Sequence, residues 1–267
     1  MREVLFTHTM MLAESLATAV QVIASASSFY MVSSPYASIK EIHVTKSTGH
    51  VSVIPLLSML LSSSMWLLYS ILLRNFFPLI FTNVVSITCV VGYLVVYYHH
   101  ATTKGLLHRY FAVEGVWILS VYLYAACFSS PMATRLENVG IIAITCSAIM
   151  VVSPLSAIVE VLRTRSVAHL PRKLIVATWV SSGAWCLTGI IRDDAFITYP
   201  NAVNIALGSL QLALFFIFPT TSTAVAHLPQ KIMHDDRVGL LSTSPATSKG
   251  GADTSLDAYV HATHDVK

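Results

Sequence analysis

Seven long stretches of this chain contain no Asp, Glu, Lys, Arg or His. Each has 18 or more residues, and a helix of about 20 apolar residues crosses a hydrocarbon core of about 30 Å. Barrel strands are only about ten residues long and alternate in polarity, unlike these continuous apolar runs. The sequence therefore predicts an all-α membrane protein with seven transmembrane helices, at Ser15–Ile39, Val51–Leu73, Asn75–Tyr98, Gly115–Thr134, Asn138–Val159, Leu174–Ile191 and Ala195–Ala226.

The remaining composition supports a multi-pass membrane protein. Only 11% of residues are charged, against about 25% in soluble domains. Most Lys and Arg residues fall on one side of the predicted spans, which places the N-terminus outside and the C-terminus in the cytosol. The plasma membrane is the expected location, and an internal membrane is the alternative. The net charge of +3 is spread over loops, so no nucleic-acid surface is expected. The polar tail 220–267 is predicted to be disordered.

The sequence gives no sign of a metal site, a cofactor or catalysis. The four cysteines lie singly inside predicted spans, without metal-ligand spacing. The adjacent His99 and His100 are interpreted as a polar interface, and no Ser/His/Asp or His/Glu cluster falls within a span. Ala24-Ser25-Ala26 is similar to a signal-peptide cleavage site, but the apolar run continues to Ile39, so this segment is expected to be retained as a helix.

An internal repeat divides the chain. Pro35, Pro55, Trp66 and Asn83 are separated by 20, 11 and 17 positions, and Pro154, Pro171, Trp185 and Asn201 by 17, 14 and 16. The predicted organisation is a short N-terminus (1–14), a three-helix repeat (15–98), a loop with an unpaired linker helix (99–134), a second repeat (135–219) and the tail. The linker gives both repeats the same orientation, and parallel repeats of this kind occur in transporters.

The paired polar and aromatic residues indicate a site between the repeats. An unpaired amide in hydrocarbon costs a few kcal/mol, so Asn83 and Asn201 are expected to face the interior. Amides donate and accept hydrogen bonds without net charge, which suits a ligand with many hydroxyl groups. Trp66 and Trp185 offer flat faces for the apolar surface of a sugar ring. The alternative is that the Asn residues join helices and the Trp residues pack in the core.

Six motifs of the sequence point to a known family: Ser34–Thr48, Met65–Ser70 (MWLLYS), Thr82-Asn83, Ser153–Pro171, Arg192–Asn201 (RDDAFITYPN) and Gly208–Leu212 (GSLQL). Together they resemble the SWEET family of sugar facilitators. The resemblance covers roughly residues 10 to 220 and implies bidirectional sugar transport by alternating access. It implies a hinge and cytosolic gate formed by Pro35, Pro55, Pro154 and Pro171, with Gln211 nearby, and an outer gate formed by Tyr69 and Asp194.

Transport is expected to be uncoupled from protons. Proton-coupled carriers place acidic or His residues deep in the membrane, whereas Glu114 and Glu160 are expected here at cytosolic helix ends. Two bulky Trp residues favour a monosaccharide such as glucose. The alternatives are a proton-coupled Pro-Gln-loop carrier of another metabolite and a seven-helix receptor. The expected partners are a small-molecule sugar and membrane lipid, and the sequence leaves open whether the chain forms a homo-oligomer.

Overall fold

The computed structural model describes residues 2–127, 131–168 and 170–218, and every regular element in these ranges is helical. The predicted tail 220–267 and the end of the last apolar run lie outside the described residues. The helices are α1 Arg2–Ser33, α2 Tyr36–Thr45, α3 Ile54–Leu72, a short helical turn Phe76–Ile80, α4 Phe81–His100, α5 Lys104–Cys127, α6 Met132–Thr164, α7 Arg172–Ile191 and α8 Ala195–Ile217.

The helices confirm an integral, multi-pass membrane protein. Six stretches of the described chain have the length and apolar composition of membrane spans: Met10–Thr45, Ile54–Leu72, Phe76–His100, Lys104–Cys127, Arg172–Ile191 and Ala195–Ile217. The remaining predicted span, Asn138–Val159, lies within the 33-residue helix α6. In lipid a helix satisfies its own backbone hydrogen bonds, and this requirement explains why the long apolar runs are helical.

The linker helix begins earlier than the charge-free run Gly115–Thr134 predicts. Helix α5 starts at Lys104 and ends at Cys127, because its first half contains charged residues that interrupt the apolar run without interrupting the helix. Glu114 therefore lies near the middle of α5, and both of its carboxylate oxygens are buried. The expectation that Glu114 sits at a cytosolic helix end is wrong.

The first predicted span is broken at its proline. Helix α1 ends at Ser33, and α2 starts at Tyr36 with Pro35 as its N-cap residue. Proline has no backbone N–H and crowds the preceding turn, so the chain starts a new helix there, with Ile39 N donating to the Pro35 carbonyl at 3.0 Å. Pro154, at the matching position of the second repeat, lies inside the continuous helix α6. The two spans thus accommodate the same residue differently.

The repeat is visible in the loops after the first span of each half. Lys46 and Arg165 are both left-handed C-cap residues, with φ of 57° and 53°. Just before them, the hydroxyls of Thr45 and Thr164 each donate at 2.8 Å to the carbonyl four residues earlier. The same turn chemistry at both places fits the predicted arrangement of three, one and three helices.

The helices of one repeat pack on those of the other. Helix α1 contacts α7, and α3 contacts α6. We call the end of the bundle at Arg74 and Asp193 the outer end and the end at Lys46 and Arg165 the inner end, following the predicted orientation. A core cluster that includes Tyr69 joins α3, α5, α6 and α8.

Candidate substrate-binding cavity

A cavity of about 590 Å³ lies between the two repeats. This volume falls within the range of about 300–1,000 Å³ that is typical of small-molecule sites. The described residues that line it include no Asp, Glu, Lys, Arg or His. Its polar lining consists of hydroxyl and amide side chains: Ser28, Ser62, Ser63, Thr82, Asn83, Ser86, Ser147, Thr178, Ser181, Ser182, Asn201, Asn204 and Gln211. Such a lining is suited to an uncharged ligand with many hydroxyl groups.

Asn83 and Asn201 both line the cavity and have matching environments. The Asn83 Nδ2 donates to the Leu79 carbonyl at 2.9 Å, and the Asn201 Nδ2 donates to the Ile197 carbonyl at 2.8 Å. Each amide is thus held against its own helix by one hydrogen bond to the preceding turn. The structure brings the two predicted residues into one cavity, and their binding of substrate stays a prediction.

Trp66 and Trp185 also line the cavity, and each is tied to the opposite repeat. The Trp66 Nε1 donates to the Ser147 Oγ at 2.8 Å, and the Trp185 Nε1 donates to the Ser28 Oγ at the same distance. These bonds join α3 to α6 and α7 to α1. The indole orientations are therefore set by contacts between the repeats.

The four prolines do not share one environment. Pro154 and Pro171 line the cavity, and the Gln211 Nε2 donates to the Pro154 carbonyl at 3.3 Å. Pro35 is half-buried, Pro55 is exposed in the first turn of α3, and neither is among the described lining residues. The structure therefore places Gln211 beside one proline of the predicted hinge, in the second repeat.

A buried contact between the repeats lies toward the outer end of the cavity. The Tyr69 hydroxyl donates to both carboxylate oxygens of Asp194, at 3.0 and 2.9 Å. Tyr69 is 2% exposed and Asp194 is 8% exposed. The Tyr69 ring packs edge-on against Trp66, with 5.6 Å between ring centroids. The two predicted gate residues thus form a direct bond above the cavity.

A second bond joins the repeats beside this contact. With the Asn75 amide oriented to match its neighbours, its oxygen accepts from the Arg192 Nε at 2.9 Å and from Nη2 at 3.3 Å, and its nitrogen donates to the Phe77 carbonyl at 2.7 Å. Asn75 is 2% exposed. It follows α3 as Asp194 follows α7, and both outer turns contain a left-handed residue, Arg74 and Asp193. Two different bonds from equivalent turns therefore join the repeats at the outer end.

At its other end the cavity extends toward the inner loops. The lining includes Leu170 and Pro171, which precede α7. Toward the outer end it includes Leu79 and Ile197, which belong to the buried cluster around Tyr69. The bond between Tyr69 and Asp194 therefore lies toward the outer end of the cavity.

Comparison with known proteins identifies the family. A family model described as a sugar efflux transporter for intercellular exchange matches the chain twice, at residues 18–105 and 137–223. The two matches coincide with the two three-helix repeats. A bidirectional sugar transporter SWEET11 of Oryza sativa subsp. japonica is 26% identical over 79% of this chain and 72% of its own length. This chain belongs to the SWEET family.

Other relatives agree with this assignment. A sugar transporter SWEET1 of Drosophila pseudoobscura pseudoobscura is 30% identical to this SWEET chain over 66% of its length and 78% of the fly protein. The structure of a eukaryotic SWEET transporter superposes with a TM-score of 0.69 at 24% identity, covering 77% of this chain and 97% of that one. At that identity the superposition shows the shared fold.

Sequence reasoning missed several residues of this SWEET site. Ser28 and Ser147 are 119 positions apart, the same separation as Trp66 and Trp185, and this shared offset was the signal that could have identified them. Asn75 was missed because its counterpart in the second repeat is an Asp rather than an Asn. Its pairing with Arg192 depends on the conformation of two loops, which the sequence pattern does not specify.

Proposed function

We propose that this SWEET chain is a uniporter that carries a neutral sugar in both directions across a membrane by alternating access. The observation that carries the proposal is the uncharged cavity between the repeats, with Asn83, Asn201, Trp66 and Trp185 in its wall. Each Asn donates one N–H to its own helix, which leaves an amide oxygen and a second N–H for sugar hydroxyls. The indole rings provide the apolar faces.

The sugar is a monosaccharide such as glucose in this proposal, because two large aromatic side chains occupy part of the cavity wall. Transport is uncoupled, since the described cavity lining contains no titratable side chain. Glu114 does not change this reasoning, because its buried carboxylate lies on α5 and outside that lining. The part of the sugar route that the structure describes therefore offers no relay of the kind that proton-coupled carriers use.

Alternating access in this proposal uses the contacts at the two ends. Tyr69 and Asp194 close the outer side in the present conformation. The four prolines and Gln211 form the hinge and inner gate, supported by the positions of Pro154, Pro171 and Gln211 along the cavity. The plasma membrane is the proposed location, and imaging of a fluorescent fusion beside a plasma-membrane marker tests it.

Sugar flux is the direct test of the proposed function. Uptake of radiolabelled glucose, fructose and sucrose is measured in cells that lack their own sugar carriers, with Asn201→Ala in parallel. We expect glucose or fructose uptake by the wild type and a large loss in Asn201→Ala. Asn138→Ala is the matched control, because the Asn138 amide bonds to the Tyr124 hydroxyl outside the described cavity lining. No flux of any sugar by the wild type would contradict the proposal, and transport of sucrose alone would contradict its monosaccharide part.

A further inference from the structure

Two serine hydroxyls make the same pair of bonds in the two halves of the molecule. The Ser28 Oγ donates to the Ala24 carbonyl at 2.9 Å and accepts from the Trp185 indole at 2.8 Å. The Ser147 Oγ donates to the Ala143 carbonyl at 2.8 Å and accepts from the Trp66 indole at 2.8 Å. The alanines, serines and tryptophans are all separated by 119 positions, so one arrangement is built twice.

The geometry leaves each serine with a defined role. A hydroxyl has one proton and two lone pairs, and the proton is committed to the carbonyl of the preceding turn. A lone pair is then fixed in space as the acceptor for the indole N–H. Because a tryptophan side chain has only two rotatable bonds before its ring, anchoring the N–H restricts the plane of the whole indole.

Both serines and both tryptophans line the cavity. A ring that must be ordered when ligand arrives costs affinity, whereas a ring held in place beforehand does not. We propose that Ser28 and Ser147 are positioning residues of the sugar site, each holding the tryptophan of the opposite repeat in its binding orientation. This inference rests on the proposed sugar transport and adds two residues to its site.

Ser28 gives the cleaner test of the pair, because Ser147 also contacts the Ser62 Oγ at 2.9 Å. The KM and maximal rate for the sugar that the wild type carries are measured in proteoliposomes for Ser28→Ala and Ser147→Ala. We expect KM to rise about three- to tenfold, the effect of losing one neutral hydrogen bond, with little change in maximal rate. A lower maximal rate at unchanged KM would overturn the inference, because it would place the serines in conformational exchange rather than in the site.

The matched control is Ser27→Ala. The Ser27 Oγ donates to the same Ala24 carbonyl at 2.9 Å but is not among the described cavity-lining residues. We expect it to keep the wild-type KM. An equal rise in KM for Ser27→Ala and Ser28→Ala would show a general effect on α1 and overturn the positioning role.

A double-mutant cycle tests whether the serine acts through the indole. Trp185→Phe removes the N–H and keeps an aromatic face, so adding Ser28→Ala to it should raise KM no further. Ser28→Thr keeps the hydroxyl and should keep a KM near that of the wild type. Effects of Ser28→Ala and Trp185→Phe that multiply independently would overturn the inference. A wild-type KM in Trp185→Phe would also overturn the inference. This variant can be measured even if Ser28→Ala fails to reach the membrane.

The same measurements separate this inference from the proposed function. No sugar flux through the wild type would overturn both. Flux through the wild type with an unchanged KM in Ser28→Ala and Ser147→Ala would overturn the positioning role alone.

Discussion

Replacing Tyr69 by Phe tests the outer gate by removing a single oxygen atom. The hydroxyl donates to both carboxylate oxygens of Asp194. The ring also packs against Trp66 and Phe196, with centroids 5.6 and 5.8 Å away, and a Phe ring retains both contacts. The change therefore removes the bond between the repeats while leaving the buried position filled.

The size of the effect follows from the contacts that remain. A hydrogen bond to a charged group contributes about 1.5–3 kcal/mol. In the variant Asp194 keeps the backbone N–H of Ile197, at 3.2 Å, as a donor from its own helix. The loss destabilises the outer-closed conformation, and at 1.4 kcal/mol per factor of ten the equilibrium shifts toward the outer-open conformation about 10- to 150-fold.

Thiol accessibility measures this shift. A cysteine at Ser181, in the cavity wall, is labelled from outside with a membrane-impermeant reagent, and the protein without this cysteine gives the background from its four native cysteines. We expect the labelling rate in Tyr69→Phe to rise about tenfold or more. Tyr97→Phe is the control, because its hydroxyl donates to the Val51 carbonyl at 2.8 Å, near the inner end. It should leave outer labelling unchanged.

The gate assignment fails under one clear set of results. If Tyr69→Phe is labelled at the wild-type rate, and sugar uptake and exchange in proteoliposomes are also unchanged, the bond to Asp194 does not control the outer end. A rise in labelling of similar size in Tyr97→Phe would also refute the reasoning, since it would show general loosening of the bundle.

Three further results are expected. Pro154→Ala restores a backbone N–H inside α6. Relative to the wild type, it should impair the maximal transport rate more than it impairs stability, measured as the melting temperature in detergent. Equal loss of both would favour a purely structural role for Pro154. Gly189→Ala should destabilise the protein by about 1–3 kcal/mol through overpacking, because the added Cβ would lie 2.8 Å from the Thr198 nitrogen, and this loss should lower the melting temperature. Gly92→Ala is the control: its added Cβ would have nothing within 4 Å, so it should not lower the melting temperature by this route. The initial rate of sugar uptake should not change between about pH 5.5 and 7.5, the range in which histidine titrates, because no described cavity-lining residue is ionisable. Strong stimulation of uptake by acid would contradict uncoupled transport.

The features that could be predicted from the sequence are those set by the membrane and by the repeat. Apolar runs of sufficient length must be helical in lipid, so their number and order could be inferred without coordinates. The paired Asn83 and Asn201, and the paired Trp66 and Trp185, could be matched by spacing, because an arrangement used twice leaves the same residues twice. All four line one cavity.

The features that could not be predicted depend on packing between distant segments. Glu114 was misplaced because a charged residue ends an apolar run but not a helix, and its depth is set by how α5 packs on α3. The break at Pro35 and the continuous helix at Pro154 were indistinguishable, since both read as Ser-Pro in an apolar run. The bonds from Trp66 and Trp185 to the opposite repeat require the relative placement of helices more than 80 positions apart along the chain.

The symmetry of the site and the asymmetry of its closure have different physical origins. At the level of the cavity, the paired Asn and Trp residues make equivalent bonds in the two repeats. At the outer end, the residue equivalent to Tyr69 is Thr188, whose hydroxyl donates to the Ala184 carbonyl of its own helix at 2.8 Å. The equivalent turn residues Asp194 and Asn75 therefore accept different donors, Tyr69 and Arg192, each from the opposite repeat. In the proposed gate, both bonds span the repeats and both must break for the outer end to open. Removal of the Tyr69 hydroxyl alone should therefore shift the equilibrium without abolishing closure.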